Sequence, residues 1–299
     1  MTGGLRPIRS WLYVPGNAPR RIEKSFTLGA DAVVFDLEDA VPPQEKLDAR
    51  KRVCEAIDAS RERSQAPVFV RVNAVSTEWF DDDLAAVTRR GIGGIRLPKS
   101  ESASDVTEVA ERLGTLEQEN GLPPNSVHLV CGIESALGLT NAVTIAAAST
   151  RVLALSFGAA DFARDLGLTP TPGRTETLFA RSQLVVASRV ATVRPPVDSA
   201  HLGVADLQGL ERTTREAKSL GYFGRSVIHP DQIAVVNDVF TPSGDQVARA
   251  REIVDAAGRA ARVGGGALLL PDGEFVDVAI VRRAQDILTL AQALAEVPR

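Results

Sequence analysis

Cysteine is almost missing from this 299-residue chain, which has two, Cys54 and Cys131, far apart. So few argue against a disulfide framework and make a reducing cytoplasm the expected compartment. Histidine is scarce as well: His128, His201 and His229 are scattered, so no His/Cys cluster offers a zinc site. An excess of positive charge is lacking, since 34 Lys and Arg against 38 Asp and Glu leave a formal charge of −4. That balance argues against a nucleic-acid-binding protein, which needs a basic face, but leaves room for a local basic rim around an anionic ligand. No stretch approaches the roughly 18 uninterrupted apolar residues of a membrane span. Arg6 and Arg9 near the start are followed by no apolar run, so no signal peptide is expected. Internal repeats and low-complexity segments are also missing.

What is present is ordinary globular material. Hydrophobic residues make up 44% and charged residues 24%, enough for a sizeable core. The length suits one large α/β domain or two ordinary ones. Short β-branched runs alternate with longer helical patterns. Strands are expected at residues 11–14, 32–36, 68–72, 94–97, 128–133, 152–157, 196–198 and 226–228. Helices are expected at 44–59, 81–90, 104–120, 175–192 and 208–220. Near-continuous apolar runs such as Ala32-Val33-Val34-Phe35 suit parallel strands covered on both faces. Eight strands in β-then-α order fit a closed (β/α)₈ TIM barrel better than an open doubly wound sheet. The seventh strand is the least regular, because prolines sit at its start. We assign residues 1–240 to the barrel and 241–299 to a C-terminal helical extension. That extension holds a helix at 243–261, a Gly264-Gly265-Gly266 connector and a last helix from about 277 to 295. It forms either a small lobe or an arm that packs on a neighbouring subunit.

In a parallel barrel the chemistry gathers where strands end, because the βα loops there are free to vary. The second expected strand ends in Asp36-Leu37-Glu38-Asp39, the third in Arg71-Val72-Asn73 and the fourth in Pro98-Lys99. The fifth ends in Glu134, the sixth in Gly158-Ala159-Ala160-Asp161 and the eighth in His229-Pro230. Charged side chains after buried strands need a partner or a task, since desolvating a lone charge is costly. Glu134 and Asp161 are the candidate metal ligands, because carboxylates on adjacent strand ends supply the hard oxygen shell that Mg²⁺ prefers. Their competing reading is a pair of loop or helix-capping carboxylates. Arg71 is a candidate anion clamp, its planar fork matching a carboxylate or polarised carbonyl. It reads equally as one half of a structural salt bridge to Asp36 or Glu38, and both roles are compatible. Glu38 is a candidate for the catalytic set, or with Asp39 a cap for the helix starting near residue 44. The Gly91-Ile92-Gly93-Gly94 stretch precedes a strand, so it is a turn and no dinucleotide fingerprint. Cys131 reads as a buried small hydrophobe and His229 as a loop-fixing or catalytic residue.

Taken in order, several runs carry a resemblance: RSWLYVPGN at 9–17, DAVVFDLEDAV at 31–41, RVN at 71–73, LPK at 97–99, GIES at 132–135, FGAAD at 157–161, IHPDQI at 228–233 and FTPS at 240–243. Each alone is weak, but the ordered set, covering about residues 9–288, is highly specific. The chain resembles the citrate lyase beta-subunit-like family, which includes malyl-CoA and citramalyl-CoA lyases of the HpcH/HpaI aldolase superfamily. The resemblance implies a TIM barrel, Mg²⁺ as cofactor, acyl-CoA and 2-oxo acid as small-molecule partners, and a homo-oligomer, trimer or hexamer. It places Mg²⁺ on Glu134 and Asp161, and Arg71 against the keto acid or thioester carbonyl. It gives Asp277, in the run GEFVD at 273–277, the part of an aspartate that completes a neighbouring subunit's site. Arg20 and Lys24 become contacts for the CoA phosphates. The expected activity is retro-Claisen or retro-aldol cleavage of a 3-hydroxyacyl-CoA. Alternatives are a CoA-independent aldolase acting on hydroxy-keto acids, and a citrate lyase beta subunit that works only with an acyl-carrier partner. Three departures stand out: Ala160 where the family often has an acid, Arg225 where a lysine is usual, and a less Ala- and Gly-rich stretch at 187–194.

Overall fold

The computed structural model describes residues 5–63, 65–262 and 268–295, and the Gly264-Gly265-Gly266 connector lies outside them. Contacts divide the chain into two compact units, one spanning Ile8–Asn237 and the other Asp238–Arg299 with a few N-terminal residues. No helix among the described residues is long and apolar enough to cross a membrane.

The first unit alternates strand and helix: β1 (Ser10–Pro15), α1 (Pro19–Ser25), β2 (Ala32–Asp36), α2 (Lys46–Arg63), β3 (Val68–Arg71), α3 (Phe80–Val87), β4 (Ile92–Leu97) and α4 (Ala103–Glu119). It continues with β5 (His128–Ile133), α5 (Ala136–Thr140), α6 (Ala142–Ala147), β6 (Val152–Phe157), α7 (Ala159–Leu166), α8 (Leu178–Val190), β7 (Arg194–Val197), α9 (Leu207–Leu220) and β8 (Arg225–Val227), and α10 (Asp231–Phe240) carries the chain past the boundary at Asn237. The eight strands form one parallel sheet in the order β7-β6-β5-β4-β3-β2-β1-β8. A parallel bridge between Asp198 and Arg225 brings the two sheet ends together. There Asp198 N–H donates to Gly224 O and Ser226 N–H to Asp198 O, both at 3.0 Å. The result is the TIM barrel that the sequence order predicts.

Every residue of β2 and β6 is buried, as near-continuous apolar strands with helices outside and a packed lumen inside must be. Phe35 and Phe69 are fully covered, each worth roughly 2–3 kcal/mol relative to exposure. β4 starts at Ile92, earlier than expected, so Gly93 and Gly94 belong to the strand and do more than turn the chain. A Cβ at Gly94 would lie 2.5 Å from the Phe69 ring and 2.6 Å from His128 O, so strand spacing itself demands glycine there. Helices bury one stripe: α4 covers Val106, Val109 and Leu113, and Ser102 caps it by accepting from Asp105 N–H at 3.1 Å.

Boundaries differ from expectation where proline or tight turns intervene. The seventh strand begins at Arg194, and its pairing with β6 skips between Ala154↔Arg194 and Ser156↔Val197. Pro195 and Pro196 lack N–H donors, which accounts for the gap. The helix expected from residue 175 starts at Leu178, after one 3₁₀ turn over Thr175–Thr177. The short helices α1, α5, α6 and α7 lay below the length that periodicity resolves.

The second unit packs α11 (Gly244–Arg262) against α12 (Val278–Ala295), with β9 (Leu268–Leu269) and β10 (Phe275–Val276) forming an antiparallel pair. Ala250, Ile253, Ala256, Leu270, Val276 and Ala284 make its core.

Candidate active site

Strand register places a charged row at the barrel mouth. Asp36 of β2 pairs with Arg71 of β3, and Arg71 with Arg96 of β4. Arg71 Nε and Nη2 donate to the two carboxylate oxygens of Asp36 at 2.8 and 2.7 Å. Its Nη1 lies 2.8 Å from Glu38 Oε2 and donates to Asp39 at 3.4 Å. The Glu38 contact is an ion pair whose geometry makes no hydrogen bond. Lys99 Nζ donates to Glu38 Oε1 at 2.6 Å, with Lys99 itself in the left-handed region at φ 48°. Burial pushes the Glu38 carboxyl up, and Arg71 and Lys99 oppose that rise. Burial would lower the Arg71 pKa, but Asp36 and Glu38 raise it well above the ordinary value.

The loop after β2 is pinned from below. Lys46 Nζ, buried, donates to Leu37 O, Glu38 O and Asn73 Oδ1 at 2.7, 2.9 and 2.6 Å. Asn73 in turn donates to Asp83 at 2.6 Å, and Asp83 accepts from Arg50 at 2.8 Å. A rigid base therefore holds Glu38 and Arg71 in place.

Glu134 follows β5, and Asp161 sits in the first turn of α7, after β6. Both line a cavity of about 610 Å³ at the carboxyl ends of the strands, shared with Tyr13, Arg71 and Arg96. Both also line a neighbouring cavity of about 350 Å³ with Lys99, Glu101 and Arg164. Space for the Glu134 carboxylate exists because its neighbours are glycines. A Cβ at Gly158 would stand 2.4 Å from Glu134 Cγ, and one at Gly132 would stand 2.6 Å from Oε1. Glu134 Oε2 is buried with no hydrogen-bond partner among the described residues. Burial, then Glu38, then Asp161 push the Glu134 carboxyl up to about 7, against Arg71 and Lys99. Asp161 pairs with Arg164 at 3.2 Å, whose side chain is exposed. An orphaned buried carboxylate oxygen beside further acids fits a divalent cation with a hard oxygen shell. Among the described residues no group of three or more His, Cys, Asp and Glu gathers as a metal cluster.

Other residues singled out in the sequence fall elsewhere. Arg20 and Lys24 lie four residues apart on the exposed face of α1. Asp277, in the second unit, is exposed and accepts from Ile280 N–H at 3.0 Å, capping α12. Cys131 is fully buried in β5, its thiol pushed up to about 12 by burial, so it holds its proton. His229 Nδ1 accepts from Asp231 N–H at 3.3 Å and fixes the turn into α10. Cavity residues that the sequence reading did not single out include Arg96 and Arg174, and His201 was noted only as one of three scattered histidines. Arg96 carried a signal, a charge inside the otherwise apolar strand Ile92–Leu97. Arg174 and His201 lie in loops with no local pattern to mark them.

A closed parallel barrel with paired carboxylates and an arginine–acid row at its mouth defines a class, barrel enzymes that work on small anionic substrates beside a divalent cation. The chain belongs to the HpcH/HpaI aldolase/citrate lyase family, whose model matches residues 9–230. It is 38% identical to the citrate lyase subunit beta of Escherichia coli K12, over 96% of this chain and 94% of that one. It is 34% identical to the L-malyl-CoA/beta-methylmalyl-CoA lyase of Cereibacter sphaeroides, over 97% of this chain and 96% of that one. Its fold matches the crystal structure of protein CitE from Mycobacterium tuberculosis in complex with magnesium, acetoacetate and coenzyme A. That match has a TM-score of 0.77 at 29% identity and covers 96% of this chain and 98% of the other.

Proposed function

We propose that this chain is a magnesium-dependent carbon–carbon lyase that cleaves 3-hydroxyacyl-CoA thioesters of the malyl-CoA or citramalyl-CoA type into a 2-oxo acid and an acyl-CoA, or runs the reverse condensation. The observation that carries the reading is the convergence of Glu134 and Asp161 on shared cavities, with one Glu134 oxygen buried and unpaired. Glu134 and Asp161 are the residues that would hold the ion. When bound, Mg²⁺ supplies Lewis-acid stabilisation for negative charge that builds on the substrate's hydroxyl oxygen.

The remaining roles belong to the chain. The first turn of α7 has no side-chain cap, and Ala159 and Ala160 line the cavity, so its backbone N–H groups are available to the acid's carboxylate. Arg71, held by Asp36, faces the oxygen that becomes enolate-like as the C–C bond breaks. Glu38 bridges Arg71 and Lys99 and keeps both cations aimed at the mouth. The hydroxyl proton leaves to a carboxylate and a proton returns to the carbon that receives the electron pair. Asp277 of a neighbouring copy is our choice for that transfer, within a homo-oligomer of three or six. Arg20 and Lys24 meet the CoA phosphates, and the enzyme works in the cytoplasm. The test is magnesium-dependent release of a 2-oxo acid from malyl-CoA or citramalyl-CoA by the purified chain. Absence of turnover across a panel of hydroxyacyl thioesters would overturn the reading.

A second reading has a specific support, the 38% identity to a citrate lyase subunit beta against 34% to a malyl-CoA lyase. In that reading the chain acts on a thioester carried by an acyl-carrier partner. Turnover of the carrier-bound thioester with none of the CoA thioester would select it.

A further inference from the structure

Two buried groups at the barrel mouth are chemical complements and do not meet. Glu134 Oε2 is an acceptor and Arg96 Nη1 a donor, and neither has a hydrogen-bond partner among the described residues. Both side chains line the larger cavity, Arg96 from β4 and Glu134 from the end of the neighbouring β5. Other charges around them are matched. Arg71 donates to both Asp36 oxygens and lies against Glu38 and Asp39, and Lys99 donates to Glu38. Arg96 is 4% exposed and forms no ion pair among the described residues. A buried guanidinium and a buried carboxylate sharing one cavity gain by closing on each other, since each is costly to cover alone. Something holds this pair open.

What engages Arg96 instead is a pair of rings on β1. Its Cζ lies 5.2 Å from the ring centroids of both Trp11 and Tyr13. Trp11 is fixed in turn by Phe69, edge to face, with centroids 4.8 Å apart and planes at 63°. Tyr13 also serves Arg71, whose Cζ lies 5.3 Å from the same ring. Arg71 and Arg96 are partners in the β3–β4 register, so both side chains leave the sheet on one side, where like charges repel. A ring face attracts a guanidinium but accepts none of its five N–H donors in a directed hydrogen bond. The cage therefore fixes where Arg96 sits and leaves Nη1 unmatched. Both Asp36 oxygens are already taken by Arg71, so Glu134 Oε2 is the acceptor that a released Arg96 would find.

We infer that Tyr13, together with Trp11, is a positioning residue whose ring holds the Arg96 guanidinium away from Glu134 and so keeps that carboxylate open for the metal ion. The ring performs this task and the Tyr13 hydroxyl does not enter it. Without the ring, Arg96 swings to Glu134 Oε2 and competes with the ion. The inference rests on the lyase reading above through one assignment, Glu134 as a metal ligand.

The test is Mg²⁺ binding by calorimetry, above the Glu134 pKa of about 7, to wild type, Tyr13→Leu, Tyr13→Phe, Arg96→Met and the double variant Tyr13→Leu/Arg96→Met. Tyr13→Leu is expected to weaken Mg²⁺ about tenfold, the scale of one buried cation–ring contact. Tyr13→Phe keeps the ring and should stay within about twofold of wild type. In the double variant no guanidinium remains to compete, so its affinity should match that of Arg96→Met within about twofold. Tyr13→Met, which fills more of the space without a ring, serves if the leucine variant does not fold. Wild-type affinity in the ringless variant, or the same loss with and without Arg96, overturns the role of Tyr13 and leaves the lyase reading intact. Failure of the wild type to bind Mg²⁺ overturns the metal assignment itself.

Discussion

At the amino-terminal end of the barrel strands, Arg151 and Glu117 form a closed pair, whereas at the carboxyl-terminal end Glu134 and Arg96 stand apart, each with an unmatched atom. Arg151 Nη1 and Nη2 donate to the two Glu117 oxygens, each at 2.7 Å. Glu117 also accepts from Asn125 N–H and Val127 N–H at 2.9 and 2.8 Å. Despite burial, the Arg151 hydrogen bond and those backbone donors hold the Glu117 carboxyl below its ordinary value. Glu134 is the same residue type, yet burial and the acids around it lift it to about 7. The difference teaches that donors, more than depth, decide what a covered carboxylate does. One end of the barrel uses its charges to hold the fold. The other pairs most of its charges but leaves Glu134 Oε2 and Arg96 Nη1 without a hydrogen-bond partner, a state that a ligand relieves.

The comparison is broken most severely at its structural end. Arg151→Met leaves Glu117 buried without its cation, and is expected to cost about 3–5 kcal/mol of stability in urea unfolding. The magnesium-dependent rate of the folded protein should stay at the wild-type level. At the other end Glu134→Gln should do the reverse. We expect kcat/KM to fall roughly 10²–10³-fold, about 3–4 kcal/mol of transition-state stabilisation, with Tm unchanged or higher because an unpaired buried carboxylate is gone. Gly158→Ala drives a methyl against Glu134 Cγ, where the Cβ would come within 2.4 Å. It should cost about 1–3 kcal/mol through overpacking and weaken Mg²⁺ binding, measured by thermal melts with and without the ion.

The smallest effect is a pH profile with opposite signs at the two ends. The Glu134 pKa is raised from 4.5 to about 7 on folding, so the unfolded chain ionises first as pH rises. Stability from this group is therefore lost between those values and is flat above them. Glu117 is lowered, so its contribution is present above its ordinary pKa and lost as pH falls through the folded value. Without metal, wild type minus Glu134→Gln should lose stability from pH 5 to pH 7, and saturating Mg²⁺ should remove that slope. A difference profile that is flat without metal would break the comparison.

Much of the architecture was legible because β2, β5 and β6 are continuous apolar runs bounded by polar residues, and their limits coincide with expectation. The strand after residue 193 was less so, since Pro195 and Pro196 hide half its pairing from any pattern. Glu134 could be singled out because it directly follows a buried strand, and Asp161 because it stands four residues beyond the end of the next one. What no local pattern carries is the third dimension of the site. That Gly132 and Gly158 clear room for one carboxylate depends on strands meeting across the barrel. That Arg71 spends its fork on Asp36 depends on the register of β2 and β3. Arg96 was overlooked because its neighbours Ile95 and Leu97 mark an ordinary strand, and only the closed lumen reveals a buried guanidinium whose Nη1 has no hydrogen-bond partner.

The most direct measurement is a calorimetric Mg²⁺ titration of wild type, Glu134→Gln and Asp161→Asn at pH 8. The account predicts one site in the wild type, weakened at least about a hundredfold in each variant. Unchanged affinity in either variant would contradict it.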